Sequence, residues 1–204
     1  MIGGAGRRGI VVAATMAAAA ALATEVASRY IITRFPERPT APDLAYEVLP
    51  HIPEGSYVTL VAMAAIIVLY MASVIRHDPG RIPAHITAIA LVYLFRAAMT
   101  VLTPLAHARD GSLVPFPLFT NGLFPSGHTA LALLLLLFIG RKKAPRLHAV
   151  GVALFFVMAV SMLFSRGHYS IDIVGGALLG YFVWREWSEG SMFEPLRRLV
   201  SPQG

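Results

Sequence analysis

Apolar residues gather in six stretches, at about 10–32, 57–75, 83–102, 126–140, 147–164 and 171–184. A bilayer core needs about 20 apolar residues per helix, and the first three stretches have that length. The last three are short, so their polar flanks are expected to extend them as helix. The connections at 36–55, 77–81, 106–124, 141–146 and 165–170 are polar and punctuated, the first of them by five prolines. Neither an internal repeat nor a low-complexity tract interrupts the pattern. Residues 1–204 therefore read as one all-α integral membrane domain of six transmembrane helices.

Composition agrees with the pattern. Hydrophobic residues make up 56% of the chain and charged residues 14%, against a usual charged share of about 25%, which excludes an ordinary soluble enzyme or a disordered segment. The absence of cysteine excludes disulfide scaffolds, thiolate metal sites and cysteine nucleophiles. A net charge of +6 could suggest nucleic acid, but in so apolar a chain a basic excess marks cytoplasmic loops. Arg7-Arg8 ahead of an apolar run also resembles a signal peptide, yet the run is long for that role and lacks a clean cleavage site.

Lysine and arginine then orient the helices. With the N-terminus inside, 11 of the 17 lie on the inner side, among them Arg76, Arg81, Arg141, Lys142, Lys143 and Arg146. Five lie outside (Arg29, Arg34, Arg38, Arg109 and Arg166), and Arg96 is embedded. This bias predicts that both termini are cytoplasmic. The connections before the fourth and sixth stretches then face outward. The short loops and the proline and arginine content suggest a bacterial inner membrane, with the outward face periplasmic.

The polar residues with chemical potential collect at that outward end. His168 and Asp172 are four apart and share a helix face. An aspartate on one imidazole nitrogen fixes the tautomer and leaves the other nitrogen as a nucleophile; a plain polar pair closing a helix end is the alternative. Pro125-Ser126-Gly127-His128 reads as a turn opening the fourth helix, with Ser126 as N-cap. The backbone N–H groups there, with Gly127 allowing close approach, suit phosphate, and His128 could protonate a leaving oxygen. Arg96 and Arg166 are candidate phosphate clamps; snorkelling and plain surface charge compete. Glu25 is read as a partner of Arg29, Trp184 and Trp187 as an interfacial belt, and 131–138 as lipid-facing helix. His51, His77, His85, His107 and His148 carry no partner pattern. Two histidines and an aspartate could ligate a metal, but the His–Asp contact and the helix-start glycine suit phosphoryl transfer better, so no metal or cofactor is expected.

Ser126-Gly127-His128-Thr129 together with His168-Tyr169-Ser170-Ile171-Asp172 resembles the type 2 phosphatidic acid phosphatase superfamily, in particular its sphingomyelin synthase-like branch. Tyr93-Leu94-Phe95-Arg96, continuing through Met99-Thr100 to Thr103-Pro104, is similar to that branch's second motif, and Arg38-Pro39-Thr40-Ala41-Pro42-Asp43-Leu44 to its first. The resemblance implies six helices and a metal-independent outward-facing site. In it His168 attacks a lipid phosphodiester, Asp172 orients His168 and His128 protonates the leaving alcohol. A lipid alcohol (ceramide or diacylglycerol type) or water then accepts the headgroup. No KxxxxxxRP element of the phosphatase branch is present, Asn121-Gly122 stands where synthases tend to carry an acidic residue, and Pro125 is phosphatase-like. A lipid-phosphate phosphatase, a catalytically silent lipid-binding protein and a transporter are the competing readings. The expected partners are a phospholipid donor, its acceptor and the bilayer, with no nucleic acid.

Overall fold

A computed structural model describes residues 6–106 and 123–201. Eight α-helices form there: α1 (Arg7–Arg34), α2 (Leu44–Val48), α3 (Gly55–His77), α4 (Ile82–Leu102), α5 (Gly127–Ile139), α6 (Pro145–Phe164), α7 (Ser170–Ser188) and α8 (Glu194–Val200). No strand occurs among the described residues. The expectations about His107, Arg109 and Asn121-Gly122 fall outside the described residues.

Among the described residues, four helices are long and apolar enough to cross a membrane: α1, α3, α4 with the 3-10 turn Pro79–Arg81 that leads into it, and α6. The expected lengthening by polar flanks holds for α7, which reaches Ser188, and slightly for α6, but fails for α5. That helix stops at 13 residues, a rise of about 20 Å against the roughly 30 Å of a bilayer core. Its bounds have local causes. Pro125 disfavours helical backbone at the residue before it, and Gly140 ends the helix at φ +68°, a conformation that glycine takes without a Cβ penalty. Helix α7 has 19 residues but carries Asp172, Arg185 and Glu186 within them.

The expectation that 131–138 faces lipid is corrected. Ala130, Ala132 and Leu134 are fully buried and Leu135 and Leu136 nearly so, because α5 packs against α3, α4, α6 and α7. A helix apolar all round belongs in the interior. The periphery is α1, which lays a stripe of Gly9, Ala13, Ala20, Thr24, Ala27 and Ile31 on α4 and α8 and exposes Ile10, Val11, Leu22 and Val26. Small residues allow such close helix approach where lipid removes the hydrophobic drive. Trp187 is also corrected: it is buried, packed on Phe193 in the cluster with Val183 and Val200. Glu25 and Arg29 do pair, on the exposed surface at 2.6 Å.

Close packing of α7 on α5 sets the site. A Cβ at Gly176 would lie 2.4 Å from the Ser126 carbonyl oxygen, and one at Gly180 2.5 Å from that of Ala130. Only glycine fits at those two backbone contacts, one helical turn apart. The Ser126 N–H also donates to the Asp172 carbonyl at 2.9 Å, so the N-termini of α5 and α7 meet side by side.

Candidate active site

Two helix starts converging at one point place two positive dipole ends and their unsatisfied N–H groups together, a setting for an anion. The side chains there are the ones the sequence singled out. His128 is the second residue of α5, His168 lies two residues before α7, and Asp172 is in the first turn of α7. The two imidazole rings stand 5.8 Å apart, centroid to centroid, at 71°.

His168 Nδ1 faces Asp172 Oδ2 at 3.4 Å, with Asp172 fully buried and His168 nearly so. A carboxylate can only accept, so Nδ1 carries the proton; in the neutral imidazole Nε2 then holds the lone pair. The contact is longer than an ordinary hydrogen bond; catalytic contacts of this kind tighten when substrate binds. The same Oδ2 accepts the Tyr169 N–H at 2.9 Å, which caps α7 with a carboxylate at its positive end. Asp172 Oδ1 is buried without a hydrogen-bond partner among the described residues. A buried carboxylate oxygen left unpaired is costly and points to a functional role.

The expected phosphate contacts divide. Ser126 is the N-cap: it is fully buried, and its hydroxyl oxygen accepts from the Thr129 N–H at 3.3 Å and the Thr129 hydroxyl at 3.1 Å. Gly127 gives room to Arg96, since a Cβ would meet Arg96 Nε at 3.0 Å. Arg96 is buried and donates from Nε to the Pro125 carbonyl at 2.9 Å, while Thr100 donates to the Phe124 carbonyl at 3.0 Å. Helix α4 thereby holds the turn that carries His128. Arg166 sits at φ +52°, a region that few non-glycine residues occupy. Its guanidinium donates to the Tyr46 carbonyl at 3.3 Å and lies 5.5 Å over the Tyr46 ring.

Sequence reasoning gave 38–44 only as a stretch similar to a family motif, with no role for its residues; in the structure this segment builds the other side of the site. Asp43 accepts from the Ala45 N–H at 2.9 Å as N-cap of α2, and also receives both the N–H and the hydroxyl of Ser170. The Tyr169 hydroxyl accepts the Ala41 N–H and donates to the Ala106 carbonyl, each at 3.2 Å. The rings of Tyr46 and Tyr169 lie 5.5 Å apart. Burial, then the negative charge of Asp43, raises the Tyr46 phenol above its usual range, so it stays protonated. Sequence reasoning missed Gly176 and Gly180, whose four-residue spacing is the small-residue signature of close helix packing. Among the described residues, no group of three or more His, Asp or Glu side chains gathers so as to hold a metal ion.

Both helix starts, α7 and all of the chain between them fall in one matched stretch. Residues 121–189 match the family model described as PAP2 superfamily C-terminal. The match spans about a third of the chain. It supports the PAP2 superfamily and fits a phosphatase or phosphotransferase of lipid phosphates in general terms. Of the four helices of membrane-spanning length and character, α6 lies inside the matched stretch and α1, α3 and α4 precede it. No curated protein matches the chain.

Proposed function

We propose that the protein is a membrane phosphotransferase or phosphodiesterase acting on a phospholipid headgroup through a phosphohistidine. The observation that carries this reading is the His168–Asp172 contact with the His128 ring 5.8 Å away. Nε2 of His168 attacks phosphorus as the bond from phosphorus to the diacylglycerol oxygen breaks, and His128 gives that oxygen its proton. Asp172 holds the tautomer and offsets the charge gained by His168. His128 then takes the proton of an incoming hydroxyl, whose oxygen displaces His168 and carries off the headgroup. The helix starts at Gly127 and Ser170, with Arg96 and Arg166 beside them, stabilise the phosphoryl oxygens. Ser126 serves the phosphate by shaping the turn.

In this reading all six apolar stretches are embedded, with α5 packed among α3, α4, α6 and α7 and α7 turning Ile171, Val174 and Leu178 toward lipid. Both termini lie in the cytoplasm and the site opens to the periplasmic side of an inner membrane. The PAP2 match equally favours a second reading, hydrolysis of a lipid phosphate to inorganic phosphate, which uses the same three residues with water as acceptor.

Lipid mass spectrometry on the purified protein in mixed micelles separates the two. The micelles contain phosphatidylcholine, phosphatidylethanolamine, phosphatidylglycerol and phosphatidic acid, with and without ceramide, and His168→Ala is the control. Headgroup-bearing ceramide, or diacylglycerol from a diester lipid, is the expected result. Diacylglycerol from phosphatidic acid alone, with free phosphate, establishes the phosphatase instead. No turnover of any lipid overturns both.

A further inference from the structure

We infer that Asp43 is a positioning residue for the His168–Asp172 pair, acting through Ser170. The inference rests on the reading of His168 and Asp172 as the reacting pair. Ser170 lies between them in the chain and is the first residue of α7. Its N–H and hydroxyl both end on the Asp43 carboxylate, the hydroxyl at 2.8 Å. Asp43 also caps α2, so one carboxylate ties the starts of two helices that are far apart in sequence.

The consequence falls on Asp172. The start of α7 presents N–H groups with no acceptor inside the helix. Asp172 Oδ2 already takes the one from Tyr169 and faces His168 Nδ1. With Asp43 accepting from Ser170, Asp172 is left to those two donors. Without Asp43, the Ser170 N–H competes for the nearest carboxylate or draws in water, and the first turn of α7 is free to rotate His168 away. Neighbouring bonds act in the same sense: the Tyr169 hydroxyl is fixed to Ala41 and Ala106, and the Ala106 N–H donates to the Pro39 carbonyl at 3.0 Å. The segment 39–46 is thus a strap across the loop that bears His168, and Asp43 is its only carboxylate.

Asp43→Asn keeps the shape and one acceptor oxygen but loses the second acceptor and the charge. A misplacement of about 1 Å can cost about 100-fold in rate, so kcat of Asp43→Asn is expected to fall by about 10- to 100-fold while KM stays within about twofold. Ser170→Ala removes only the hydroxyl bond, so it folds even if Asp43→Asn does not; a loss of about 3- to 10-fold is expected, the size of one hydrogen bond. The double variant should lose less than the product of the two, because both act on one contact.

Nitrogen-15 NMR of histidine-labelled protein in micelles gives a readout that needs no turnover. The His168 Nδ1 signal, assigned by its loss in His168→Ala, is expected to move in Asp43→Asn and in Ser170→Ala. An unmoved signal with kcat within twofold of wild type overturns the proposal, as does a multiplicative double variant. A change confined to KM also overturns it, since that would make Asp43 a substrate contact. If the signal moves while His168→Ala still turns over lipid, the nucleophile assignment fails and the positioning role of Asp43 stands.

Discussion

Two buried histidines flank α5, in contrasting surroundings. Near the start of the helix, His168 faces a carboxylate with an unpaired oxygen, a second imidazole and two helix N-termini. Near the other end, His85 of α4 accepts or donates one hydrogen bond with the Tyr70 hydroxyl at 2.9 Å and stacks on Phe138 at 4.0 Å and 9°. Both rings are about equally buried. Burial therefore does not distinguish a reactive histidine from a structural one. The difference lies in the company each keeps: His85 has a neutral partner and an apolar stacking face, whereas His168 has a carboxylate and a second imidazole beside it.

The largest expected break in this contrast is His168→Ala. Removing the proposed nucleophile should lower kcat/KM by about 10⁴-fold or more. A retained activity would remove it from the mechanism. His128→Ala should be as inactive with natural lipids, yet should accumulate phosphoenzyme from a substrate whose leaving group needs no proton, as read by radiolabel trapped on the protein.

Asp172→Asn comes next. The amide oxygen can still accept the Tyr169 N–H and cap α7, so the fold survives, but the charge that fixes the His168 tautomer is lost. A drop of about 10²- to 10⁴-fold in kcat is expected, with circular dichroism unaltered. Normal kinetics would reduce the pair to a helix-end contact.

A smaller and different break comes from Gly176→Ala. The added Cβ would fall 2.4 Å from a backbone oxygen, so α5 and α7 must separate. Overpacking of this kind costs about 1–3 kcal/mol. Activity and thermal stability should fall together, unlike in Asp172→Asn. If only one falls, the glycine contact does not set the distance between His128 and His168.

Much of this was legible in the chain and some was not, for physical reasons. His168 and Asp172 could be paired from sequence because they are four residues apart, although they meet across the start of α7, with His168 outside it, and not on a shared helix face. Ser126 could be placed as a cap for the same local reason. Asp43 could not be joined to Ser170, 127 residues away, because no local periodicity encodes a contact made by folding. The pairing of Tyr70 with His85 was missed likewise, although only 15 residues separate them; a tyrosine and a histidine on successive apolar stretches carry no shared spacing. The error over α5 has another origin. An unbroken run of leucines reads identically whether lipid or protein surrounds it, and only the packing of four neighbours decides.

The smallest expected effect on catalysis belongs to the structural histidine. Tyr70→Phe removes the hydroxyl and leaves His85 Nδ1 buried without that partner. Between membrane helices one such bond is worth about 0.6 kcal/mol on average, and stranding a buried polar group adds up to about 1–3 kcal/mol, so the thermal midpoint should fall while kcat stays within about twofold. The double variant Tyr70→Phe/His85→Leu removes both polar partners at once and should recover most of that loss, because two apolar side chains leave nothing unpaired. At the reacting pair the corresponding exchange, His168→Leu with Asp172→Leu, recovers no activity whatever it does for stability. Recovery of stability at one end of α5 without recovery of function at the other would separate the two histidines by role, and a large loss of kcat in Tyr70→Phe would show instead that the far end of α5 is coupled to the site.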